Sequence, residues 1–113
     1  TKAGLHAIDK FDQPNRSTVD NSAFGYSALF GNYNGIENTA LGSHSLSCNL
    51  NGRGNTAAGF QSLAGNTVGS GNVGLGSFTL NNNKVGHLNI AIGHGAGYYI
   101  TNGDNWPSPP TLW

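Results

Sequence analysis

The chain has 113 residues, no formal net charge, 36% apolar residues and 9% charged ones, against roughly 25% charged in an ordinary globular domain. That neutrality leaves neither a basic surface for a nucleic acid nor an acidic one for a cationic partner. Cys48, the single cysteine, excludes an internal disulfide and a Cys-cluster zinc site, and no apolar run reads as a signal peptide or a membrane-spanning helix.

Residues 1–20 carry six of the ten charged side chains (Lys2, Asp9, Lys10, Asp12, Arg16, Asp20) together with Pro14. They fit no later pattern and are expected to form an entry or capping segment. Because the chain starts at Thr1, it is expected to be a processed product or an excised piece of something longer.

From Asn21 onward the chain repeats every 17 residues through 21–105, with units beginning at Asn21, Asn38, Asn55, Asn72 and Asn89. A fixed period, which disorder does not require, overrides the low-complexity composition. Position 5 of each unit is Gly25, Gly42, Gly59, Gly76 and Gly93, and position 15 is Gly35, Gly52, Gly69, Gly86 and Gly103. Position 9 is Leu29, Leu46, Leu63 and Leu80, then Gly97. Position 12 is Asn32, Asn49, Asn66 and Asn83, lost at Ile100, while positions 3 and 8 stay small throughout.

Seventeen residues are too few for a helical repeat, which needs about 34, but they suit one solenoid coil of two short strands and two turns. The glycines at positions 5 and 15 are expected where the chain turns with positive φ. Asparagine at positions 1 and 12 tolerates left-handed backbone as well, and stacking at roughly 4.8 Å per coil would let its amides form ladders. Position 4 (Phe24, Leu41, Ala58, Leu75, Ile92) and the leucine column are expected to fill the core. That filling is thin against a backbone entropy of about 1–2 kcal/mol per residue. Further burial is therefore expected from other copies of the chain. Beyond the repeat, Pro107, Pro109 and Pro110 mark 106–113 as a cap or tail that cannot pair regularly.

The units Asn38–Gly42 (NTALG), Asn55–Gly59 (NTAAG) and Asn89–Gly93 (NIAIG) resemble the head repeat of YadA-type trimeric adhesins. They resemble more closely the longer-period version in bacteriophage tail fibres, whose coils also exceed the adhesin period. The resemblance covers 21–105 and implies an all-β, left-handed parallel β-roll with three chains wound about one axis. It further implies a virion fibre of tail or capsid that attaches to a host surface. The partners would be the chain itself, other virion components and a host glycan or protein. A bacterial trimeric adhesin head at the cell surface is the alternative, and a glycan-degrading tailspike segment is the competing class.

Chemistry finds little support. The carboxylates Asp9, Asp12, Asp20, Glu37 and Asp104 are expected to share no equivalent position in neighbouring coils, so no glycosidase-like pair is expected. His6, His44, His87 and His94 fall at different repeat positions, and His44 and His94 lie three coils apart, so no metal or other cofactor is expected. Gly-x-Gly stretches such as Gly93-His94-Gly95 lack the following helix of a phosphate-binding loop, and calcium rolls need aspartates in each repeat. A partial Ser/Thr wall (Ser22, Thr39, Thr56) stops at Val73 and Ile90, too short for an ice-binding face. Tyr26, His44, Phe60, Phe78 and His94 vary at positions 6 and 7 while the scaffold holds. They are expected to pack between chains or, alternatively, to meet a ligand such as a sugar.

Overall fold

The computed structural model describes residues 20–104. The entry segment apart from Asp20, and the tail expected at 106–113, lie outside the described residues. Five three-residue strands follow in chain order: β1 (Ser22–Phe24), β2 (Thr39–Leu41), β3 (Thr56–Ala58), β4 (Val73–Leu75) and β5 (Ile90–Ile92). They form one parallel sheet in the order β1-β2-β3-β4-β5. Its register never slips: Ala23 faces Ala40, then Ala57, Gly74 and Ala91. The 17-residue period is thus one coil of a parallel β-solenoid.

Each coil holds one strand, not the two expected. The segment after position 5 is a run of tight turns, closed in the first coil by Ala28 N–H to Gly25 O (3.1 Å) and Asn32 N–H to Leu29 O (3.1 Å). Bonds to the next coil continue there without strand geometry, as in Leu29 N–H to Ser45 O (3.0 Å) and Gly31 N–H to Ser47 O (2.9 Å). The backbone is therefore satisfied around much of the coil, as a buried polar chain must be.

Left-handed backbone falls elsewhere than expected. Position 5 glycines do take φ of +115° to +133°, and a Cβ on Gly59 would also stand 2.6 Å from the Gly76 carbonyl. Position 15 glycines are not left-handed; Gly35, Gly52, Gly69 and Gly86 are required by crowding, as a Cβ on Gly52 would strike Asn49 Oδ1, the Gly69 carbonyl and Asn55 Nδ2, while Gly103 in the last coil has space for one. The repeat asparagines are not left-handed either. The leucines are, with φ of +52°, +49°, +53° and +47° at Leu29, Leu46, Leu63 and Leu80. Left-handed backbone costs about 1–2 kcal/mol for a residue with a Cβ. Burying a leucine side chain contributes about 1.5–3 kcal/mol, and all four are fully buried. Burial wins by a small margin, and Gly97 in the fifth coil keeps the conformation (φ +66°) without the side chain.

The core is narrower than expected and largely polar. Strand side chains alternate faces, so position 3 turns inward and Ala40, Ala57 and Ala91 are fully buried. Position 4 turns outward: Phe24 is 58% exposed, Leu41 46%, and Leu75 and Ile92 37% each, so this column does not fill the core. Two fully buried asparagine columns stand beside the leucines instead. At position 1, Asn55 Nδ2 donates to Asn38 Oδ1 (3.1 Å) and to Gly69 O (2.8 Å). At position 12, Asn66 Nδ2 donates to Asn49 Oδ1 (2.9 Å) and to the same Gly69 O (3.0 Å). The two ladders converge on the position 15 carbonyl and use both of its lone pairs, which leaves no space there for a Cβ.

Candidate recognition surface

The aromatic and histidine residues of positions 6 and 7 form one continuous column on the solenoid. Ring centroids lie 5.5 Å apart for Tyr26–His44, 6.2 Å for His44–Phe60, 5.4 Å for Phe60–Phe78 and 5.8 Å for Phe78–His94, with interplanar angles of 78–83°. The rings alternate between position 6 (Tyr26, Phe60, His94) and position 7 (His44, Phe78). At one position throughout, the coil spacing of about 4.8 Å would stack them face to face. The alternation produces the edge-to-face contacts that aromatic quadrupoles favour. These rings thus pack on one another within a single chain, and Tyr26 and Phe60 remain 48% and 42% exposed.

Beside this column lies a trough that the sequence did not reveal. Three coils supply His44 and Gln61 as one wall, with Ser47–Cys48, Ala64–Gly65 and Asn81–Asn82 as the floor, around a space of about 360 Å³. In the third coil the lining is the small pair Ala64 and Gly65, and a Cβ on Gly65 would lie 2.6 Å from the Asn81 carbonyl. A second space of about 420 Å³ continues along the same positions, bounded by Phe78, His94, Tyr98 and Tyr99. Tyr98 and Tyr99 meet edge to face at 5.1 Å, and Phe78 meets Tyr98 at 6.4 Å.

The titratable groups are scattered. Asp20 and Glu37 do stand 17 residues apart, both left-handed at φ +59°, contrary to the expectation that no two carboxylates occupy equivalent positions. Both are exposed. Position 16 builds a side-chain ladder that was also not foreseen. Ser70 Oγ accepts from Arg53 N–H (3.0 Å), His87 Nδ1 from Ser70 N–H (2.9 Å), and Asp104 Oδ1 from His87 N–H (2.6 Å). His87 therefore accepts through Nδ1, which places its proton on Nε2. Chemically different residues fill one acceptor role here, so no repeated letter marks it. Among the described residues, no three His, Cys, Asp or Glu side chains group as metal ligands. His6, Asp9 and Asp12 lie outside the described residues.

No family model, no curated protein and no solved structure matches the chain.

Proposed function

We propose that the chain is a structural and adhesive segment of a trimeric virion fibre, of phage tail or capsid, that takes part in host-surface attachment. The observation that carries this reading is the outer face of the five-stranded sheet. Phe24, Leu41, Leu75 and Ile92 form an exposed apolar column there, flanked by Val73 and Ile90 at position 2. A monomer with so thin a core gains most by covering such a column. Burying each large apolar side chain contributes about 1.5–3 kcal/mol. Three copies wound left-handed about one axis, as the repeat resemblance implies, would place the three columns against each other. The work of the segment is then mechanical: a stiff, edge-bonded rod that presents its remaining faces outward.

Sedimentation equilibrium of the 113-residue chain tests the assembly. A species of three chains at micromolar concentration is expected; a stable 11.7 kDa monomer would refute it. Depolymerase activity on capsule would instead favour a tailspike segment, and display on a bacterial envelope an adhesin head.

A further inference from the structure

We infer that the trough along positions 7, 10 and 11 is a binding site for a neutral, linear oligosaccharide. The inference deepens the attachment part of the fibre reading and needs only one chain, since columns 2 and 4 remain for partner copies.

Three observations carry it. First, the floor presents fixed acceptors. Asn81 Nδ2 is held by Gln61 O (2.9 Å) and Asn82 Nδ2 by Tyr98 O (2.8 Å). Both Oδ1 atoms are left accepting no hydrogen bond from the described residues, as is the Gln61 amide nitrogen donating none. Amides whose donors are tied down lose little rotamer freedom on binding, which is what preorganisation means energetically. A ligand rich in hydroxyls, each both donor and acceptor, matches such a set.

Second, the amide-lined space, in the second to fourth coils, is followed at the same repeat positions by a separate space lined by Phe78, Tyr98 and Tyr99 in the fourth and fifth. Tyr99 is 87% exposed, and an amphipathic ring in that position offers an apolar face with a polar tip. Sugar rings have the complementary surface: C–H faces that stack on aromatics and hydroxyl edges that reach amides. The coil rise of about 4.8 Å is close to the length of one sugar unit, so successive units would meet equivalent positions of successive coils.

Third, the lining has no Lys, Arg, Asp or Glu. A sulfated, sialylated or phosphorylated glycan would bring negative charge to a lining whose only basic side chains are the imidazoles of His44 and His94, with no Lys or Arg to meet it. A neutral glycan has no such cost.

The test uses the full chain on an array of neutral and sialylated oligosaccharides, with affinities for the neutral binders measured by calorimetry. Maleimide labelling of Cys48, exposed on the trough floor, reports occupancy. Retention by at least one neutral linear glycan is expected, with a tenfold or greater loss in Tyr99→Ala and in Asn81→Ala and slower Cys48 labelling when the glycan is bound. Tyr99→Ala removes a ring that is nearly all in solvent, so an unchanged thermal melt separates lost binding from lost fold. Absence of binding to every neutral glycan, binding to sialylated glycans alone, or affinities unaffected by both variants would overturn the site. Each of those results leaves the trimer reading to its own sedimentation test.

Discussion

Replacing Asn55 with alanine tests the amide ladder as the core of this fold. The Asn55 side chain takes part in four hydrogen bonds: Nδ2 to Asn38 Oδ1 (3.1 Å) and Gly69 O (2.8 Å), and Oδ1 from the N–H (2.9 Å) and Nδ2 (3.1 Å) of Asn72. After truncation most partners keep one bond. Asn38 Oδ1 still accepts from Asn55 N–H (3.0 Å), Gly69 O from Asn66 Nδ2 (3.0 Å), and Asn72 Nδ2 still donates to Gly86 O (2.8 Å). The Asn72 backbone N–H alone loses its acceptor. An orphaned buried donor costs about 1–3 kcal/mol and each of the three other lost bonds about 0.5–1.5 kcal/mol, so the expected loss is about 2.5–7.5 kcal/mol.

Urea unfolding followed by far-UV circular dichroism measures this loss. One fixed chain concentration is used, because self-association of the kind proposed above would make stability depend on it. Asn55→Asp should be worse than alanine at pH 7. It turns two donor positions into acceptors facing the Asn38 and Gly69 oxygens and buries a charge. Burial disfavours the charged form, so this variant should regain stability as pH falls and the carboxyl protonates to donate one bond. Exposed Asn51→Ala should stay within about 0.5 kcal/mol of the parent. A loss below about 1 kcal/mol for Asn55→Ala would refute the ladder as a stabilising element.

Ser45 Oγ is buried without a hydrogen-bond partner, whereas Ser62 Oγ meets Thr79 Oγ1 at 2.6 Å and Gly74 O at 3.0 Å. Ser45→Ala should therefore leave the melting temperature equal or higher, and Ser62→Ala should cost about 1–2 kcal/mol. Gly54 (φ +63°) has open space where a Cβ would go, while a Cβ on Gly59 would meet the next coil's backbone. In chemical denaturation Gly54→Ala should cost about 1–2 kcal/mol of conformational strain; Gly59→Ala should abolish the folded circular dichroism spectrum. Leu75→Glu with Ile92→Glu places charge on the outer sheet face, and the assembly proposed above predicts that sedimentation then shifts from three chains toward one.

Much of the fold was legible because stacking forces each coil to repeat the contacts of the last. A residue with a fixed role then returns every 17 positions, as Asn55 and Leu63 do. The assignment of those roles was less legible. The glycines of positions 5 and 15 look alike in sequence, yet Gly59 answers a backbone angle and Gly52 the approach of two amide ladders. Leu63 looked like simple filling, yet it also occupies a turn conformation usually left to glycine. The trough was not legible at all, because residues of three coils come together to line it.

The sequence by itself determined the period, the register and the parallel stacking, because only one alignment superposes five asparagines and five glycines. Tertiary structure alone decided which side of each strand faces inward. In a strand of three residues, positions 3 and 4 are both compatible with burial by composition. The leucines and asparagines of the turns fill the interior, leaving space there only for alanine or, at Gly74, glycine at position 3. The larger Phe24, Leu41, Leu75 and Ile92 are thereby turned outward.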